Sequence, residues 1–178
     1  TDYPALGGYF HGFHWDLPLT PELRRLHITH LEMLGVVVNI MLFVQTVLPV
    51  GEVDLSQVRI VAHCDALTSV DVIARNSASS HMLQQVHLLL LDTPEFQRIQ
   101  HVVSIQHIWG EANFLSDACF RGNLPLLRLM CSQLGVTPQR VEVGAAALQL
   151  VRTAYEFFCM PKFGDIGYEG EGPSFSLP

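Results

Sequence analysis

The sequence is short of positive charge. Ten Lys and Arg stand against 17 Asp and Glu, a formal charge of −7. A free-standing nucleic-acid binder normally carries a basic stripe, and here Arg24, Arg25 and Arg75 are scattered and Arg121 is isolated. The balance still admits an enzyme domain whose substrate is gripped mainly by a neighbouring domain. Cysteine is sparse too. Cys64, Cys119, Cys131 and Cys159 show no close pairing in a chain too large to need staples, and they read as reduced thiols of an intracellular protein, nuclear or cytoplasmic. The longest apolar run, residues 34–50, is interrupted by Gly35, Asn39, Gln45, Thr46 and Pro49, so it reads as a buried helix and no membrane is expected. A Gly-x-Ser-x-Gly elbow is missing, as is a Gly-rich run ending in Lys, which removes the usual serine-hydrolase and phosphate-loop signatures. No internal repeat is visible. The opening Thr1-Asp2-Tyr3-Pro4 reads as the start of a piece cut from something longer.

What is present is a core. At 178 residues and 49% hydrophobic composition, one full domain is expected. Residues 5–15, ALGGYFHGFHW, read as a strand or hairpin, with Gly7 and Gly8 as a tight turn. Apolar residues from Thr29 to Val44 recur at helical spacing, with Thr29 as the cap and burial compensating for the β-branched content. Residues 58–64 form a short apolar strand fit for a central place in a sheet. Helices are predicted over 67–75 and 81–91, a strand over 101–109, a turn at 110–113, and helices over 113–120, 124–134 and 144–160. Residues 161–178 read as a flexible tail rich in Gly, Pro and Ser. Strands alternating with helices indicate an α/β fold. The division expected is a core over 1–122, a C-terminal helical extension over 123–160, and the tail.

Why should an apolar strand, VRIVAHCDALTSV (58–70), run straight into His63, Cys64 and Asp65 and then a helix? A structural strand has no need to end on a carboxylate, whereas a cation site does. Asp2 precedes the first strand-like segment, Glu32 lies in the first turns of the long helix, Asp65 closes the strand, and Asp117 lies in the helix after the last strand. In an α/β fold such positions can converge at one edge of the sheet. Four carboxylates are hard oxygen donors that suit Mg²⁺ or Mn²⁺ better than Zn²⁺. Each also has a plainer reading: Asp2 as a solvated terminus, Glu32 as a helix-dipole partner, Asp65 as a cap for the next helix, Asp117 as surface.

Other groups are weaker. His27 and His30 share a helix face and could join His63 or Cys64 on zinc, but those two point to opposite faces of a strand. His11 and His14 form a second, poorer pair. Asp71 reads as a solvated helix residue, and Tyr9, Phe10, Phe13 and Trp15 read as core sooner than as a stacking platform for bases.

Taken in order, HITHLEMLGVVV (27–38), VRIVAHCDALTSVDVIARN (58–76) and HIWGEANFLSDACFRGN (107–123) resemble a ribonuclease H domain, of the kind attached to the reverse transcriptases of DIRS-like, tyrosine-recombinase retroelements. The segment CSQLGVTPQRVEV (131–143) resembles the stretch that comes after the nuclease core in that group. The resemblance spans nearly all of residues 1–160. It implies a ribonuclease H-like fold, a central mixed sheet flanked by helices. The family's four acidic ligands would fall on Asp2, Glu32, Asp65 and Asp117, with Gly7 and Gly8 in its glycine-rich turn. It implies two Mg²⁺ (or Mn²⁺) ions, endonucleolytic hydrolysis of the RNA strand of an RNA·DNA hybrid, and a linked or associated reverse transcriptase domain. Asp65 would bridge the ions, and His107, Glu111 and Asn113 would support the ligands. The alternative is a catalytically silent scaffold of the same fold with a structural or protein-binding role.

Overall fold

The computed structural model describes residues 4–48, 51, 53–76, 78 and 80–159. Asp2 and the tail over 161–178 lie outside the described residues. Among the described residues the fold is mixed α/β with seven α-helices and a small mixed sheet, 58% helical once the 3-10 turns are included.

The chain opens with a hairpin of β1 (Ala5–Phe10) and β2 (Phe13–Pro18). Its two-residue turn is His11–Gly12, at φ 49° and 86°. Positive φ at both central positions is what lets a tight turn match the right-handed strand twist. The turn therefore does not fall at Gly7–Gly8, where the sequence suggests one. Those glycines sit mid-strand for want of space. A Cβ on Gly7 would lie 2.6 Å from the Cys119 carbonyl carbon, and one on Gly8 2.6 Å from Trp15 Nε1.

A 20-residue helix follows, α1 (Ile28–Val47). Its cap is His27 and not Thr29: the His27 ring nitrogen Nδ1 accepts from the Thr29 N–H at 3.3 Å. His27 is still extended, at ψ 144°, whereas Thr29 already lies inside the helix. By length and composition α1 could cross a bilayer, yet 56% of its most apolar window is buried within the protein. It runs through the main core, with Leu31, Leu34, Val37, Val38 and Met41 all nearly inaccessible.

The second half of the fold is a two-stranded parallel sheet, β3 (Ile60–Cys64) with β4 (Val103–His107). Between them run α2 (Leu67–Arg75), α3 (His81–Leu91) and α4 (Pro94–Ile99). In the sequence Pro94 signals a break, but Pro also suits the first turn of a helix, where no N–H is needed. Thr93 caps that helix, its Oγ1 accepting from Phe96 N–H at 3.3 Å. The strand expected at a central, buried position pairs, among the described residues, with β4 alone, and Val61 is 40% exposed.

After β4 come α5 (Phe114–Phe120), α6 (Leu124–Gln133), the two-residue β5 (Gln139–Arg140) and α7 (Ala145–Cys159). Among the described residues the strands form two sheets, a three-stranded one in the order β1-β2-β5, with β5 parallel to β2, and the two-stranded β3-β4. Ala147, Leu150, Val151, Ala154 and Tyr155 of α7 belong to the same apolar cluster as α1, and β5 extends the hairpin sheet.

Candidate functional site

Glu32, Asp65 and Asp117 come from three different elements and line one cavity of about 100 Å³, together with Gly7, Gly8, Asn113 and Ser116. Asp65 follows the last residue of β3, Glu32 projects from α1, and Asp117 from α5. Asp2 lies outside the described residues.

Glu32 is half-buried, just past the first turn of α1, which holds no acidic residue. The helix dipole acts mainly within that first turn, so it does not account for Glu32. Burial pushes its pKa above the usual carboxylate value, and the negative charge of Asp65 adds to the rise. Asp65 is not the cap of α2 either. Ala66 holds that place, and no side chain caps the helix. Instead Asp65 Oδ1 accepts from Asn113 Nδ2 at 3.0 Å. Asp117 is held by Arg121, one turn on, whose Nε donates to Oδ1 and Oδ2 at 2.8 and 2.7 Å. Both side chains are substantially exposed, so the pair adds little stability.

Of the three supporting residues expected from the sequence, Asn113 lines the cavity and touches Asp65. His107 and Glu111 do not line it. His107 packs edge-on against Trp109, ring centroids 5.6 Å apart, and Glu111 is exposed in the one-turn helix Gly110–Ala112. Asn39 and Ser116 also line the cavity, and sequence reasoning does not single them out. Asn39 sits in an apolar helical run, where its polarity reads as an interruption. Its Oδ1 in fact accepts from the buried Trp15 Nε1 at 2.8 Å. Arg121, four residues after Asp117, is legible from helical spacing alone.

The zinc alternatives are not assembled. His30 stacks on Phe158 at 4.5 Å, and burial, then His27, lowers its pKa. Cys64 is buried, and its thiol is pushed up to about 11, first by burial, with the charges of Asp65 and Glu32 adding. It is no thiolate at neutral pH. His11 lies in the hairpin turn, while His14 is buried in β2 with its pKa lowered by desolvation. Asp71 pairs with Arg75 at 3.4 Å on the surface. Trp15 and Phe10 are core residues.

The donor set of the cavity is hard oxygen, the chemistry Mg²⁺ and Mn²⁺ prefer. Two facing carboxylates, one with its charged form disfavoured, would be relieved by a cation. Among the described residues, however, no group of three or more His, Cys, Asp or Glu side chains is placed to hold a metal ion. The carboxylates share a cavity without closing on a common point.

Compared with protein-family models, curated proteins and solved structures, the chain matches none.

Proposed function

We propose that the chain is a ribonuclease H-like domain that hydrolyses the RNA strand of an RNA·DNA hybrid, with Mg²⁺ or Mn²⁺, beside a linked or associated reverse transcriptase domain. The observation that carries this reading is the shared cavity: Glu32, Asp65 and Asp117, far apart in sequence, line one cavity at the end of a strand, together with Gly7 and Gly8 of β1. Divalent cations bound there would supply an activated water and a counter-charge for the leaving oxygen. The chain's own residues prepare the place. Glu32 and Asp65 set a local negative potential that concentrates cations. Asn113 fixes one oxygen of Asp65 and leaves the other free to act as a ligand. Arg121 holds Asp117 through both its carboxylate oxygens, and its withdrawal would release them from that bond. With a formal charge of −7, the domain itself offers little grip on a polyanion, and the partner domain would supply it.

A second reading, a catalytically silent scaffold of the same fold, is favoured by one observation. The described carboxylates do not form a three-ligand group, and Asp117 is taken up by Arg121.

Titrating Mg²⁺ and Mn²⁺ calorimetrically into the purified chain and its Asp65→Asn variant, followed by a hybrid-cleavage assay, separates the two. Uptake lost in D65N together with RNA-strand cleavage supports the nuclease. No uptake at millimolar metal and no cleavage, alone or with a reverse transcriptase domain supplied, leaves the scaffold.

A further inference from the structure

Beside the carboxylate cavity stand large apolar side chains left in water. Trp109 is 77% exposed, Leu67 57% and Phe114 39%. Each lies next to a contact of Asp65. Leu67 comes two residues after Asp65, and Phe114 follows Asn113, which donates to Asp65 at 3.0 Å. Trp109 precedes Gly110, where a Cβ would lie 3.6 Å from Asp65 Oδ2. None of the three lines the carboxylate cavity itself. Single apolar residues are ordinary on a surface, but several gathered in one place mark an interaction surface.

Trp109 is the most exposed of them, and its ring is largely open. Its one ring neighbour among the described residues is His107, at an interplanar angle of 79°. A perpendicular contact occupies at most one face of the indole, so another face stays available. The charge around it has one sign. Residues 60–74 and 99–120 hold Asp65, Asp71, Glu111 and Asp117 and no Lys or Arg. Asp71 is paired with Arg75 and Asp117 with Arg121. Among the described residues Asp65 and Glu111 have no ion-pair partner. Glu111 is exposed in the one-turn helix that Trp109 opens.

We propose that this surface docks a basic, partly apolar segment of a protein partner, with an Arg that stacks on Trp109 and pairs with Glu111. An open aromatic face beside uncompensated carboxylates attracts a cation. Arg suits it better than Lys, because a planar guanidinium can stack and donate to a carboxylate at the same time. Leu67 and Phe114 give the segment's aliphatic side chains apolar surface to cover. Trp and Arg are also the residues that most often dominate interface energetics. A polyanion is repelled by the same carboxylates, and divalent ions in the cavity would offset that at Asp65 and not at Glu111. The proposal goes beyond the nuclease reading and does not need it, since the surface serves an active or a silent domain alike.

The test uses the full chain, without divalent metal, and a short synthetic peptide of alternating Arg and Val. Trp15 is wholly buried, so emission quenched by a soluble peptide reports Trp109. Saturable quenching is expected. By calorimetry Trp109→Ala should weaken binding at least about tenfold, and Trp109→Phe much less, because it keeps a ring. Glu111→Gln should weaken it about threefold. Both positions are exposed, so the variants should melt like the wild type. The same peptide with Lys in place of Arg should bind more weakly. No quenching, binding unchanged by Trp109→Ala, or equal affinity for the Lys peptide overturns the proposal. So does a single-stranded oligonucleotide that quenches Trp109 where the Arg peptide does not, since the face would then seat a base. Metal-free conditions keep this result apart from metal uptake and hybrid cleavage, so either reading can fail alone.

Discussion

Asn113 and Asp65 are joined by a 3.0 Å hydrogen bond that links positions 48 residues apart. Asn113 opens α5, and Asp65 follows β3. The bond ties the segment after β4 to the end of β3, so one carboxylate of the cavity is oriented by an element that also carries another, Asp117.

Replacing Asn113 with Ala removes the donor and lets the Asp65 carboxylate rotate. Asp65 is exposed, so water takes over much of the bond, and the stability loss is expected near the low end of about 0.5–1.5 kcal/mol. Asn113→Asp should cost more at pH 7 than at pH 4, since two carboxylates then face each other. Urea denaturation of both variants at the two pH values measures this, and an equal cost at both would be inconsistent with the contact.

Glu32 makes stability depend on pH in a definite direction. Its folded pKa lies above the ordinary carboxylate value, raised by burial and then by Asp65. Such a group favours folding fully below the unfolded pKa, and that contribution is lost as pH rises through the folded value. Glu32→Gln should therefore be more stable than the wild type at pH 7, with the advantage fading towards pH 4. A variant no more stable at pH 7 would show that Glu32 is better solvated than its position implies.

Arg121→Gln separates stability from cation binding. The exposed one-turn pair with Asp117 contributes about 0.3–0.5 kcal/mol at most, so the melting temperature should barely move. With Asp117 released, Mg²⁺ and Mn²⁺ uptake should tighten, by calorimetric titration. Unchanged uptake would mean that Asp117 takes no part.

Gly7→Ala places a methyl 2.6 Å from the Cys119 carbonyl carbon and 2.8 Å from the Phe120 nitrogen. These are backbone atoms that no rotamer change can move, so β1 and α5 must separate. The expected loss is at least about 1–3 kcal/mol, read by thermal melting. A neutral result would mean that α5 sits farther from β1.

Several elements are legible in the sequence because their information is local. The helices over 67–75 and 81–91 fall where apolar spacing puts them, and Asn76 ends the first at φ 53°, a conformation Asn tolerates. The carboxylates stand out because a charge closing an apolar strand is unusual. Other features are not local. Gly7 and Gly8 read as a turn because glycine supports both turns and close approach, and only the packed helices α1 and α5 show which is needed. His27 rather than Thr29 caps α1 because capping depends on where the chain leaves its extended conformation, a matter of tenths of a turn.

Periodicity and burial preference act over short stretches of chain. They are enough to mark most of the helices, though not α4, and the strands β3 and β4, and to show that acidic residues stand at the ends of apolar elements. They do not bring Glu32, Asp65 and Asp117 to one cavity or join α7 to the main core. Those relations arise from packing between segments distant along the chain, where side-chain volume and main-chain pairing, and no local preference, choose the neighbour.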